Sequence, residues 1–553
     1  MIVAALIAAA ALAAPNPVQV ENAQAGAEPS SWLPPAVPPT RIEGWASELS
    51  VLPGDSVHLH VETQEGDRYR VELYRLGYYG GLGARLLSCT PSCGGDEAGH
   101  SYGPRDNRAR ADWPVTDTLS IPSDAVSGYY YALLRLTSGG DETGARAYVP
   151  FVMRAPPTRR SEILVQVPVN TWQAYNPWGG KSLYGFNSTN LEPATRVSFD
   201  RPLAFTAQGP FDWEYNMVRF LEREGYDVSY QTDADTDAHP ESLLEHRLVM
   251  VIGHDEYWTK RQRDAFEAAR DLGTNLAFTS SNASYWQVRY EDGGRTLVGY
   301  KEQAPDPEPD PSLKTIRFRE LSPPRPECAL LGVMFYRIRD HYEGPVDYTV
   351  TDGANSDPWF AGTGFKPGDK VLDVVGNEWD SRPETPQPGC DQPGMTVFFH
   401  YQGGVQNADA VRYTAPSGAR VFAAGAQQWS YALDTFNTSR LGRTLPPDLR
   451  LQQFMRNALA DLVRPAAPAA VRARVIKQTM RVTLQVHTDP RVLRYEVFRQ
   501  RGGTETPVCK TLRGVCTFRR VKPGTYRFSA VAVDEWGQSS ATLSPRIVVR
   551  RWR

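Results

Sequence analysis

His254, Asp255 and Glu256 occupy three consecutive positions inside GHDEYW, at 253–258. An imidazole beside two carboxylates is a set that can move protons or bind a metal, provided the backbone holds it rigidly. The motif follows the apolar run LVMVI and precedes a helix-like stretch, so it sits at a strand-to-helix turn where Gly253 permits a tight bend. A plainer role is available, since Asp255 or Glu256 at the start of a helix favours its dipole and can cap it. Capping accounts for one acid and leaves His254, Tyr257 and Trp258 unexplained. Other strand-like runs are also followed by polar, aromatic segments: NTWQAYNPWGGKSLY from 170, TDAD from 232, SNASYW from 281 and QQWSY from 427. In an open parallel sheet, ligands bind beyond the carboxyl ends of the strands, so these five segments are expected to converge. An isolated Tyr or Trp elsewhere is more often packing.

The elements that position them are read from periodicity. ILVQVPV is a continuous apolar run of strand length, and DWEYNMVRFLEREG places Trp213, Met217, Phe220 and Leu221 at helical spacing before Gly225. The strand YDVSYQ follows. Strand LVMVI, a helix from Thr259 to about Leu272, strand NLAFTS, a returning strand ARVFAAGAQQW and a closing helix LPPDLRLQQFMRNALADLV complete a strand–helix alternation. Such alternation predicts a doubly wound parallel sheet over 160–464. The Pro- and Gly-rich stretch 289–415 breaks the rhythm and is read as a β-rich insertion.

A chain of 553 residues exceeds one core and should divide into about three or four domains. Runs such as SVHLHVE and YYYALLRLTS, separated by turn residues, predict a β-sandwich over 41–155. MRVTLQV, RYEVFRQ and RIVVR predict a second one over 470–553, whose YRFSAVAVDEWGQSS resembles a fibronectin type III module. Residues 1–25 read as a signal peptide ending at Ala23-Gln24-Ala25, although no basic residue precedes the apolar run, and 26–40 as an Ala/Pro/Ser-rich linker. The run is too short for a transmembrane span. A net charge of −3 with interspersed signs excludes a nucleic-acid footprint. The six cysteines fall as Cys89 with Cys93, Cys328 with Cys390 and Cys509 with Cys516, most simply three disulfides in a secreted, extracellular or envelope protein. Zinc is disfavoured, because no C-x-x-C occurs and no His stands at finger spacing.

The ordered motifs TWQAYNPWGGKSLY, DWEYNMVRFLEREGYDV, GHDEYWT and SNASYWQVRY resemble the catalytic region of the N,N-dimethylformamidase large (beta) subunit-like family over Glu162 to Val463. The resemblance implies a class I glutamine amidotransferase-like fold, a mononuclear ferric iron held by two tyrosines and a glutamate, and hydrolysis of a small amide. It carries Glu256 over as the carboxylate ligand, and Tyr175 and Tyr215 as the phenolates, with Tyr184 the alternative for either. His254 and Glu378, the latter in VVGNEWD, carry over as the groups that handle protons, while Trp172, Asn282, Trp286 and Trp429 are expected to line the substrate pocket. Hard anionic oxygen donors suit a ferric ion. Amidotransferase-type folds carry a nucleophilic cysteine at the elbow where this chain has GHDEYW, so a thiol mechanism is disfavoured. The expected partner is a small-molecule amide, with an oligomer or a small partner subunit left open. A rival reading is a secreted non-catalytic protein whose Trp172, Trp178, Trp258, Trp286 and Trp429 grip a carbohydrate or another flat ligand. Another is a family member that has lost its metal.

Overall fold

The computed structural model describes residues 14–33, 39–102, 109–204, 209–302, 305–338, 344–352, 356–403, 406–434, 436, 445–501 and 504–550. Its centre is one nine-stranded sheet. We label β1 (Ile163–Val167), α1 (Val169–Tyr175), α2 (Tyr215–Arg223), β2 (Val228–Thr232), β3 (Leu248–Val251), α3 (Lys260–Asp271), β4 (Asn275–Phe278), β5 (Val346–Val350), β6 (Lys370–Val375), β7 (Thr396–Gly403), β8 (Gln406–Thr414), β9 (Arg420–Ala423) and α4 (Leu449–Leu462). The strand order is β2-β1-β3-β4-β9-β8-β7-β5-β6. The first five strands are mutually parallel, and the remaining pairs are antiparallel.

Burial on both faces explains why these strands read as unbroken apolar runs. Ile163, Val165, Leu248, Met250 and Phe422 face a core shared with α2 and α4, while Leu164, Val249, Val251, Leu276 and Val421 face a second core built on α3. Residues expected to form an insertion instead extend the sheet, since β5 to β8 continue it beyond β9. Their Pro- and Gly-rich connections hid that continuity, because hydrogen-bonded neighbours in a sheet need not be close in sequence.

Ahead of this sheet, strands Ile42–Ala46, Ser56–Thr63 and Asp117–Ser120 pack on a second sheet that includes Arg68–Leu76, Gly128–Leu136 and Arg146–Met153. The run GYYYALLRL is buried at nearly every position because it too has two covered faces. Tyr130, Ala132 and Leu134 fill the sandwich, whereas Tyr129, Tyr131 and Leu133 join the core of the central sheet.

The N-terminal segment departs from expectation. Pro17–Asn22 is a helix capped by Asn16, which accepts from the Gln19 amide at 2.9 Å, and its Val18 is fully buried. Glu21 accepts from Arg85 at 2.7 Å and from the Tyr79 hydroxyl at 2.7 Å; Asn22 donates to Glu222 at 2.7 Å. In the uncleaved chain residues 16–25 thus pack on the folded body, and cleavage after Ala25 would remove these contacts. The expected linker also carries Trp32, fully buried against Phe211, Tyr215 and Phe436. Ala- and Pro-rich composition gave no sign of these two buried anchors, Val18 and Trp32. Residues 1–13, which hold most of the apolar run, lie outside the described residues.

A separate C-terminal sandwich packs Ala470–Ile476, Thr479–Gln485 and Val515–Arg519 against a sheet built on Arg494–Arg501 and Gly524–Val533. It docks at the amino ends of β3 and β4, where the fully buried Arg247 pairs with Asp489 at 2.6 Å and with Asp534, and Arg491 donates to the His246 carbonyl at 2.7 Å. All three expected disulfides are formed. Among the described residues no helix is long and apolar enough to cross a membrane.

Candidate active site

The order β2-β1-β3 reverses direction between β1 and β3, and that switch point is where an open parallel sheet presents a crevice. GHDEYW leaves β3 there. Gly253 has φ +68°, and a Cβ on it would lie 2.4 Å from the Glu214 side chain, so only glycine permits the turn. The helix that follows is capped by Thr259, which accepts from the Gln262 amide at 3.0 Å. Asp255 and Glu256 are thereby released from capping and point inward, both almost wholly buried. Asp255 accepts from Gln166 of β1 at 2.6 Å, and the Glu256 amide donates to Thr171 of α1 at 3.0 Å.

Three oxygens meet at Glu256. The Tyr175 hydroxyl donates to its carboxylate at 2.8 Å, the Tyr184 hydroxyl lies 3.1 Å from the same oxygen, and the two hydroxyls are 2.9 Å apart. Tyr175 ends α1, and Tyr184 follows on the loop after it. Arg201 fixes that loop from beneath. Its guanidinium is buried with no carboxylate partner among the described residues and donates to the carbonyls of Gln173 at 3.0 Å, Trp178 at 3.3 Å and Lys181 at 2.7 Å. Burial lowers its pKa to about 9.

Beside this triad, His254 Nε2 is 2.9 Å from Glu378 and 3.7 Å from Glu256. Burial alone would lower the His254 pKa, but the Glu378 and Glu256 carboxylates raise it to about 9, so the ring is an imidazolium near neutral pH. Asn282 Nδ2 donates at 2.9 Å to the same Glu378 Oε2 that faces His254, while its backbone amide donates to Asp380 at 2.8 Å. Burial and the nearby Glu378 raise the Glu256 pKa, opposed by His254 and Lys301. Burial and Glu256 hold both phenols well above the usual tyrosine value, so without a strong cation they stay protonated.

Tyr215 is not part of this group. Its hydroxyl donates to the Gly83 carbonyl under the N-terminal sandwich, where Gly83 has φ +91° and a Cβ would come within 2.5 Å of that hydroxyl. The second phenol is Tyr184. Its position in GGKSLY says nothing of direction, and only the path of the loop after α1 brings it back to Glu256.

The expected pocket residues separate. Asn282 is in the site, and Trp286 packs against Lys301 at its edge. Trp172 lies behind the triad, its Nε1 donating to Glu214 at 3.4 Å, and Trp429 is deep in the core among Tyr348, Phe399, Phe422 and Phe454. Trp258 packs on the opposite face of the sheet with Phe266, and Trp178 meets Trp113 and Glu43 of the sandwich. No shared aromatic mouth exists among these five tryptophans, and the carbohydrate-gripping arrangement is not formed.

Lys301 escaped sequence reasoning. Its ammonium sits 3.2 Å from the centre of the Tyr184 ring and donates to the Tyr257 hydroxyl at 3.0 Å. A single lysine after a short strand carries no local signal; only the cage of Tyr184, Tyr257 and Trp286 marks it. Burial lowers its pKa to about 7, opposed by Glu256.

Among the described residues no group of three or more His, Cys, Asp or Glu side chains is arranged to hold a metal. The triad has a different composition, one carboxylate and two phenols. Oxygens around an octahedral ion at about 2.0–2.1 Å lie about 2.9 Å apart, and the triad oxygens are 2.8, 2.9 and 3.1 Å apart. Hydrogen bonding imposes the same spacing, so the fit rests on the convergence and hardness of the donors.

Fold and site together define an α/β protein with a buried, oxygen-rich centre at the switch point of a parallel sheet. The model of the family described as N,N-dimethylformamidase beta subunit-like, C-terminal, matches residues 70–441, and the chain belongs to that family. The match begins inside the N-terminal sandwich, earlier than Glu162, and ends before α4. No curated protein matches the chain. Among solved structures, "Structure of FN3tt mut" shares 19% identity over 15% of this chain and 91% of its own, with a TM-score of 0.14. An Fn3-like protein from Clostridium thermocellum shares 21% identity over 14% of this chain and 94% of its own, with a TM-score of 0.13.

Proposed function

We propose that this protein is a secreted metal-dependent amidohydrolase of the dimethylformamidase kind, with a ferric ion held by Tyr175, Tyr184 and Glu256. The observation that carries the reading is the meeting of those three oxygens within 2.8 to 3.1 Å of one another, at the turn after β3. Family membership and the β2-β1-β3-β4-β9 parallel order support it, the latter being compatible with an amidotransferase-like layout. Three disulfides are compatible with an extracellular protein.

When bound, such an ion polarises an amide carbonyl and lowers the pKa of a water molecule. The chain's own groups then divide the protons. Glu378 accepts one from the attacking water as the carbon–oxygen bond forms, and His254, charged near neutral pH, delivers one to the nitrogen as the carbon–nitrogen bond breaks. One water is consumed, and an acid and an amine leave. Asn282 keeps Glu378 aimed at His254, and the Lys301 charge offsets part of the negative charge gathered around Glu256.

Elemental analysis of the purified protein, combined with amine release from a panel of amides, tests the proposal. Stoichiometric iron with a phenolate-to-iron colour is expected. Glu256→Gln should lose iron and activity together, whereas Glu378→Gln should keep the iron and slow turnover by about a hundredfold or more. A wild-type protein without metal, cleaving no amide, would overturn it.

A further inference from the structure

The site is closed on most sides. His254, Glu378, Asn282, Glu256 and Lys301 are between 1% and 7% exposed, whereas Tyr175 and Tyr184 are half-buried. The way out therefore runs along the two phenols. The next side chain on that path is Phe186, its ring centre 5.2 Å from that of Tyr184 and 6.5 Å from that of Tyr175, and it is 69% exposed.

The Phe186 loop is tightly braced. Ser188 donates to the Tyr184 carbonyl at 2.7 Å, the Ser182 amide donates to Ser188 at 3.0 Å, and Asn187 donates to the Tyr175 carbonyl at 2.9 Å. The loop's far limb returns to touch its near one, since a Cβ on Gly185 would lie 2.8 Å from the Leu191 carbonyl. Leu191 is 74% exposed and has φ +58°, a left-handed conformation that leucine rarely adopts. A single exposed apolar residue needs no explanation. Phe186 differs, because the braced loop holds its ring tilted against both phenols.

Resting on the amidohydrolase reading, we infer that Phe186 forms the substrate-selecting rim of the site, and that the preferred amides carry a flat apolar group on nitrogen. The acyl carbon must reach His254 and Glu378 at the closed end, so the nitrogen substituent points back along the phenols to the opening. A dimethylamino group is too short to extend past two tyrosine rings. A benzyl or aryl group reaches Phe186 and stacks on it, as aromatic pairs do with centroids about 4.5–7 Å apart.

Formamide and N-benzylformamide test this with wild type, Phe186→Ala and Phe186→Leu. The ratio of kcat/KM for N-benzylformamide over formamide should fall about tenfold in Phe186→Ala, through KM, with a smaller drop in Phe186→Leu. Equilibrium dialysis of N-benzylformamide should show the same order of weakening. An unchanged ratio, or unchanged binding of the benzyl probe, overturns the rim. Should wild type cleave neither amide, the hydrolase reading falls, and dialysis still decides the rim.

Discussion

Two tyrosines separate what the family pattern offers from what the fold uses. Tyr215 looks equivalent to Tyr184 in sequence, yet it braces the sandwich junction through Gly83, while Tyr184 meets Glu256. Tyr184→Phe should therefore abolish the phenolate-to-iron colour or shift it strongly. Tyr215→Phe should keep iron and colour and cost about 1 kcal/mol of stability for one buried hydrogen bond. Optical spectra and urea melts of the two variants check this; unchanged iron and colour in Tyr184→Phe would remove Tyr184 from the ligand set. The motif GHDEYW was legible as a site because capping explains so little of it. Lys301 and Arg201 were not, because a lone basic residue looks alike on a surface and in a cage.

At the scale of elements, the helix at Pro17–Asn22 behaves as part of the body. Deleting residues up to Ala25 removes Glu21, the acceptor for Arg85 and Tyr79, together with the buried Val18, and should lower stability by about 3 kcal/mol. N-terminal sequencing of protein from its own host should find the mature chain starting before Asn16; a start at Gly26 in stable, folded protein would refute the docking role. His246, between β2 and β3, makes a second case. Its ring is buried against the Ser161 carbonyl at 2.9 Å, and burial, with Arg160, Arg491 and Arg159 nearby, lowers its pKa to about 4. A histidine lowered on folding contributes stability that is present above its unfolded value of about 6.5 and lost as pH falls toward about 4, here up to about 3 kcal/mol. Denaturant midpoints at pH 7 and pH 4.5 should therefore differ less in His246→Asn than in wild type, and equal differences would show that His246 does not titrate on unfolding.

For the whole molecule, the C-terminal sandwich is coupled to the central sheet at the end opposite the site. Arg247 lies between Asp489 and Asp534 with no solvent exposure; Arg247→Met leaves Asp534 without its ion pair at a dry interface, Asp489 keeping Arg491, and should cost about 3–5 kcal/mol. Iron content and the amide selectivity ratio of the folded protein should stay unchanged, because β3 separates Arg247 from His254. A fall in iron in well-folded Arg247→Met would mean that the module reaches the site through the sheet.

Local order decided much of this protein before any tertiary contact. The apolar runs of β1, β3 and β4 can only be two-sided strands, the 3.6-residue spacing of α2 can only be a helix against them, and alternation of the two fixes which strand ends face the same way. Convergence of the post-strand segments follows from that, as do the three cysteine pairs from their placement. What tertiary structure alone decided is direction. Which tyrosine turns inward, which tryptophans are core, where residues 16–25 pack in the uncleaved chain, and whether a Pro-broken stretch leaves the sheet or extends it depend on partners up to hundreds of residues away, such as Asn22 on Glu222 and Asn282 on Glu378. Those contacts exist only once the chain has closed on itself, and no local spacing encodes them.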